Sequence, residues 1–406
     1  MENTSYLIGS GFARHSGKVV AIAFSPDGAF VVTGACQPQI LDTKSRLWRI
    51  SSGKQVRKFN RHKAGVFSAA YSPDGLLVAT GGGGVIKGRK WVYDHLIRVW
   101  SPQTGEQIRA FGEELFFVDA LRFSPDGKFL LSGSRNGAPK APVPDGFCCR
   151  LWHVESGTEV ARFGHHRFPV TSVAFSNDGR LVAAGSSSLG VTNFNQIRIK
   201  SFSSNDPGAS AEGAMSARQI REMLADGSIK PPFAAPLKAT VDALPAGRLV
   251  SFTTGHVGGL QGPEGRTIRL WEYESRREIA GIDYSEYVNA VAFSPGGQHL
   301  LSIGRDILLW DLSSGTVICR FEKDPNLYTH CGSYSPDGRL VATGTGGKNE
   351  PSAPYHSCFV WLWDATTGHE IGRMPHKYPV RAVEFSPDGR HILAAGELGE
   401  VRLWEL

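Results

Sequence analysis

Residues 19–28 read VVAIAFSPDG, and this stretch decides the fold because it returns along the whole chain. It reappears as VFSAAYSPDG (66–75), VDALRFSPDG (118–127), VTSVAFSNDG (170–179), VNAVAFSPGG (288–297), THCGSYSPDG (329–338) and VRAVEFSPDG (380–389). Each copy is an alternating apolar strand closed by a tight turn. Proline at the second turn position sets φ, aspartate bonds its own backbone, and glycine supplies a left-handed residue. A second strand follows at once, as in FVVTGA, LVATGG, FLLSGS and ILAAGE. A third strand ends in Trp48, Trp100, Trp152, Trp271, Trp310, Trp363 or Trp404. A glycine turn then opens a fourth, as in ISSGKQVRKF and PQTGEQIRAF. One unit is therefore four short strands, with a period of about 50 residues.

A lone four-stranded sheet cannot cover both of its faces, whereas a radial array of such sheets covers them all. These repeats, with Trp-Asp pairs at Trp310-Asp311 and Trp363-Asp364, resemble the WD-repeat β-propeller family over nearly the whole chain. The dominant SPDG turns look similar to bacterial members. The resemblance implies an all-β fold, a single closed β-propeller over residues 1–406. Eight four-stranded blades are expected. The eighth is a degenerate copy in which Leu244-Pro245-Ala246-Gly247 stands for the turn before RLVSF and Trp271. The copy before it then carries Lys200, in QIRIKSF, where tryptophan belongs. Seven blades is the alternative, if residues 197–255 are irregular. The chain stops at Leu406, after a third strand, and Phe12-Ala13-Arg14-His15 matches Phe59-Asn60-Arg61-His62. Residues 4–14 are therefore expected to close the last blade and cover its edge. Residues 203–240 break the repeat between the fourth and fifth blades. They read as an insertion in which Ser216-Ala217-Arg218-Gln219 caps a short helix.

The chain has 406 residues, 41% of them hydrophobic and 20% charged, with a net charge of +6 and pI near 9.0. That balance permits an acidic partner without requiring one. None of Cys36, Cys148, Cys149, Cys319, Cys331 and Cys358 forms a C-x-x-C pair, which points to free thiols in a reducing, cytoplasmic setting. The N-terminus lacks the apolar core of a secretory signal, and no run is long enough to span a membrane. No cofactor, metal or membrane partner is expected.

In the resembled family a histidine, a serine or threonine, an aspartate and the tryptophan form a buried relay. His15, Thr33, Asp42 and Trp48 match it, as do His62, Thr80, Asp94 and Trp100. A His–Asp–Thr set could be mistaken for catalytic machinery; its repetition favours a structural role.

The second-to-third strand connections are inflated in most units, whereas the SPDG turns are nearly uniform. Long loops on one face of a rigid scaffold suit binding. The first strands should line the mouth of the central channel on that same face. Their early residues include Phe67, Phe117, Asp119, Tyr287, Asn289, Tyr328, His330 and Arg381. Tyrosine and arginine are favoured interface anchors. The reading is a non-catalytic scaffold or recognition subunit that binds a protein or peptide partner there.

Two alternatives compete. Arg89, Trp91 and Tyr93, within GGGGVIKGRKWVYDHLIRVW (81–100), combine bases with stacking surfaces and would suit single-stranded nucleic acid. As a phosphate loop the same stretch fails, because Arg89-Lys90-Trp91 and a strand follow Gly88 rather than Lys-Ser/Thr and a helix. A hydrolase would need Asp119, His330 and Asp242 to converge at the channel mouth.

Overall fold

The computed structural model describes residues 15–36, 44–87, 90–112, 117–135, 147–166, 169–186, 198–202, 215–216, 249–253, 268–276, 278–282, 288–324, 327–346 and 358–406. They form seven antiparallel blades in a closed ring, each led by a first strand that lines the centre. Those first strands are Lys18–Phe24, Val66–Tyr71, Phe117–Phe123, Val170–Phe175, Val288–Phe293, Tyr328–Tyr334 and Val380–Phe385, here blades one to seven. Each first strand touches the next, and that of blade seven touches that of blade one.

The core explains why the ring closes. Among the described residues there are seven apolar clusters, and each draws on one pair of neighbouring blades. Val19, Ile22 and Trp48 of blade one pack with Leu393, Ala395 and Leu403 of blade seven. Among the described residues no blade has a core of its own, so apolar burial drives blade against blade.

The expected eight blades are corrected to seven. Blade four is made of Val170–Phe175, Leu181–Ser186, Ile268–Glu272 and Glu278–Ile282. Val182 faces Trp271 across its second and third strands, just as Val31 faces Trp48 and Val341 faces Trp363. Trp271 is buried against Phe163 of blade three, with ring centroids 5.8 Å apart. Lys200 therefore does not replace a tryptophan. Arg198–Phe202 pairs with Leu249–Thr253, which also pairs with Met215–Ser216, in a separate small sheet. The excursion thus falls inside blade four, between Ser186 and Ile268, rather than after it. Loop closure explains why the register survives: lengthening a loop from about 10 to about 80 residues costs only about 2 kcal/mol. Ser216, expected to cap a helix, instead ends the short strand Met215–Ser216. Residues 217–227 of the proposed helix, Asp242 and the clasp at residues 4–14 lie outside the described residues.

The SPDG turns set the blade ends. In blade one the Ser25 hydroxyl bonds Asp27, Asp27 accepts the Ala29 N–H at 3.0 Å, and Ser25 Oγ accepts the Phe30 N–H at 2.9 Å. Gly28 closes the turn at φ +69°, where a side chain would be strained. The same bonds recur at Asp74, Asp126, Asp178, Asp337 and Asp388.

Candidate functional site

Every first strand carries a bulge at its upper end. The register slips between Val19 and Ala21, Val66 and Ser68, Val118 and Ala120, Val170 and Ser172, Val288 and Ala290, Thr329 and Cys331, and Val380 and Ala382. The residues inside these bulges are Val20, Phe67, Asp119, Thr171, Asn289, His330 and Arg381. A bulge takes its residue out of the ladder and re-aims its side chain. The fold thereby gathers seven side chains of varied chemistry at one end of the channel.

Several of these side chains tie blades together. Asn289 Nδ2 donates to the Thr329 carbonyl at 2.8 Å, and Thr171 Oγ1 to the Val288 carbonyl at 2.8 Å. His330 and Arg381 meet across the seam of blades six and seven. Arg381 Nη1 lies 3.2 Å from Nδ1 and 3.4 Å from Nε2 of the His330 imidazole. Burial, followed by the charge of Arg381, pushes the His330 pKa down to about 3. Arg381 Nη2 donates to Glu397 at 2.7 Å, and Lys18 of blade one donates to the same carboxylate oxygen at 2.7 Å. Burial would raise Glu397, but these two hydrogen bonds and charges prevail and hold it below its ordinary value.

A second group belongs to blades two and three. Phe67 and Phe117 meet edge to face with centroids 5.2 Å apart; Tyr93 packs on Phe117 at 6.1 Å and stacks on His95 at 5.5 Å. Edge-to-face contact is a favoured aromatic geometry. The four glycines that invite a phosphate-loop reading are explained by packing. A Cβ on Gly83 would lie 2.3 Å from the Phe67 ring, and one on Gly84 would lie 2.8 Å from Phe117. On Gly82 it would lie 2.4 Å from the Asp94 carbonyl oxygen. The glycines let the aromatic rings lie against backbone. Beyond them, Gly84–Lys87 and Lys90–Tyr93 pair as a hairpin.

Beneath the mouth, the polar groups of blades one and two form buried chains. Trp48 Nε1 donates to Thr33 Oγ1 at 2.8 Å, and that hydroxyl lies 2.7 Å from His15 Nε2. In blade two, Trp100 Nε1 donates to Thr80 at 2.8 Å, and Thr80 lies 2.7 Å from His62 Nε2. His62 Nδ1 lies 3.1 Å from Asp94, which also accepts the Lys63 N–H at 2.7 Å and faces Arg98 at 3.3 Å. Burial works to raise Asp94, yet His62, Lys63 and Arg98 hold it at about 2. Burial lowers His62, which is therefore neutral. The described members of both chains are buried.

The sequence-derived residues are thus brought together only in part. Phe67, Phe117 and Tyr93 form one group, and His330 and Arg381 another; Tyr328 is exposed two residues before His330. Asp119 and His330 sit on blades three and six, with two blades between them on the shorter arc. Arg89, Tyr287, Asp42 and the side chain of Trp91 lie outside the described residues. Sequence reasoning missed Glu397, because GELGE reads as a short plain turn. The signal was there: a connection too short to stray keeps its acid at the mouth.

At the opposite end, a cleft of 580 Å³ between blades three and four is lined by Asp126, Asp178, Glu272 and Glu274, among others. Asp126 and Asp178 are committed to their own turns. Among the described residues, no group of three His, Cys, Asp or Glu is placed to hold a metal ion. Cys319 and Cys331 are free thiols, and no helix among those residues is long and apolar enough to cross a membrane.

Comparison with known proteins accords with this architecture. The family described as WD domain, G-beta repeat matches residues 7–49, 53–101, 105–139, 157–189 and 368–405. The chain is 28% identical over 183 residues to Pre-mRNA-processing factor 19 homolog 2 of Arabidopsis thaliana, covering 40% of this chain and 33% of that protein. It is 27% identical over 143 residues to the human serine-threonine kinase receptor-associated protein, covering 34% and 37%. An alignment over 97% of this chain, at 23% identity, covers 20% of the human WD repeat-containing protein 90. The matched stretches thus span about a third or less of these relatives' lengths.

Proposed function

The chain belongs to the WD-repeat family of β-propellers, and on that premise we propose that it is a non-catalytic interaction module. It holds a protein or peptide partner at the channel mouth, as a scaffold or as the recognition subunit of a larger assembly. One observation carries this reading. Seven bulges deliver seven different side chains to one end of the channel, whereas the opposite end repeats one turn almost unchanged. Varied chemistry on a repeated frame suits recognition. The six cysteines, none in a C-x-x-C pair, favour a reducing, cytoplasmic setting.

Affinity capture from the source cell tests the reading. The native chain is compared with a Phe117→Ala/Tyr328→Ala variant at the mouth. An Arg180→Glu/Arg339→Glu variant, on the exposed SPDG turns, serves as the control. The mouth variant is expected to lose its captured partner and the control to keep it. Equal recovery by both variants sinks the proposal.

A further inference from the structure

One arc of the mouth carries, among the described residues, more positive than negative charge. Lys18 of blade one and Arg381 of blade seven share the single carboxylate of Glu397, each at 2.7 Å. Among the described residues, two fixed cations against one acid leave an excess positive charge in this cluster, and His330, held neutral, does not change it. Arg381 spends Nη1 on His330 and Nη2 on Glu397, while its Nε is buried without an acceptor. Buried donors are normally satisfied, so this guanidinium is one acceptor short.

Glu397 itself is held by a strained turn. Leu398 adopts φ +56°, one of two non-glycine residues in the left-handed region among those described, and its side chain is 52% exposed. Gly399, next along, lies so close to His15 that a Cβ would sit 1.9 Å from its carbonyl oxygen. Outliers of this kind cluster at ligand clamps and switches.

The arc continues without a break into the aromatic group. Lys18 pairs with Cys36, Gly65 abuts both Cys36 and the ring of Phe67, and Phe67 leads to Phe117 and Tyr93. Cations and rings therefore lie side by side over blades seven, one, two and three.

We infer that Lys18 and Arg381 form a seat for an anionic oxygen group of an acidic peptide, that Glu397 is its resident stand-in, and that an apolar side chain of that peptide covers the Phe67–Phe117–Tyr93 group. The inference rests on the mouth being the docking surface. The incoming group displaces Glu397, satisfies Arg381 Nε and relaxes the turn at Leu398. A carboxylate and a phosphate monoester offer the same oxygens to this seat.

Fluorescence anisotropy on the full chain tests it with three labelled hexapeptides, alternating phenylalanine with glutamate, with phosphoserine or with lysine. At least one acidic peptide is expected to bind about tenfold or more tightly than the lysine peptide and to weaken with salt. The tighter of the two acids identifies the source of the oxygens. Arg381→Gln and Lys18→Gln should each weaken that peptide about fivefold or more, and Glu397→Gln should tighten it about threefold by vacating the seat. Melting curves check that each variant is folded, and Lys18→Arg, which keeps the charge, should restore binding if Lys18→Gln is unstable. The inference is overturned if neither acidic peptide binds below millimolar concentration. It is equally overturned if Glu397→Gln lowers the melting temperature without tightening the peptide, which would make the cluster a latch between blades seven and one. Failure here with the Phe117→Ala/Tyr328→Ala variant still losing its partner removes the acid seat and leaves the mouth as the docking surface.

Discussion

Asp94 is buried yet ionised, because four groups make it worth keeping so: His62, the Lys63 N–H, Arg98 and, through His62, the hydroxyl of Thr80. Removing the carboxylate leaves Arg98 as a buried cation whose remaining partner is Gln107, and leaves a histidine nitrogen and a backbone N–H without an acceptor. Breaking a buried, hydrogen-bonded charge pair typically costs about 3–5 kcal/mol. Asp94→Ala should therefore lower unfolding stability by about 3 kcal/mol, read from urea denaturation. A loss under about 1 kcal/mol would mean that the relay is incidental. The spacing of His62, Thr80, Asp94 and Trp100 was legible by resemblance, since these residue types recur at fixed offsets from the repeat. Glu397 was not legible, because its role comes from the closure of blade seven on blade one. Lys18 and Glu397 are 379 residues apart and no local pattern joins them.

At the level of the blade, the second strand supplies a hydroxyl to the tryptophan in five of seven cases. Thr33, Thr80, Ser132, Ser302 and Thr343 accept from Trp48, Trp100, Trp152, Trp310 and Trp363 at 2.8–2.9 Å. Blades four and seven carry Ala184 and Ala394 in that place. Ala394 faces Val383 and Arg402, the register in which Thr33 faces Ile22 and Arg46. In blade seven the Nε2 of His376 is buried without a partner, while its Nδ1 bonds the Tyr378 carbonyl at 2.7 Å. Ala394→Thr should place a hydroxyl between His376 and Trp404 and stabilise the protein by about 1 kcal/mol, measured by the same denaturation. Destabilisation would show that blade seven has closed over the space. Most blades were legible because a four-residue turn and a tryptophan bracket each one. Blade four was miscut because the pattern marks strands and not partners. Both Lys200 and Trp271 lie in third-strand-like stretches, and only the pairing of Val182 with Trp271 decides between them.

The ring as a whole adds a property that no single blade has. The fifth residue of each first strand, counted from its leading valine or threonine, reads Ala23, Ala70, Arg122, Ala174, Ala292, Ser333 and Glu384. Five blades present a small side chain at this level of the channel, and blades three and seven present long ones of opposite charge. Burial raises the pKa of Glu384 to about 7, with the charge of Arg122 and the Phe24 N–H pulling only partly the other way. The ordinary value of 4.5 applies to the unfolded chain. Between those values the native state holds a proton that the unfolded state has lost, so the stability tied to this group is complete below pH 4.5 and disappears as pH rises through 7. At pH 8 the protein carries a carboxylate in a site that favours the neutral acid. Glutamine has the shape of that neutral form and cannot ionise. Glu384→Gln should therefore be more stable than the native chain at pH 8, by about 1–2 kcal/mol after allowing for solvent around a half-buried group. The advantage should shrink steadily and vanish by about pH 5, where the native Glu384 is itself protonated. Paired denaturation curves at pH 5, 6, 7 and 8 would show it. A difference that did not change with pH, or a variant less stable at pH 8, would mean that Arg122 and Glu384 act as a fully charged pair across the channel.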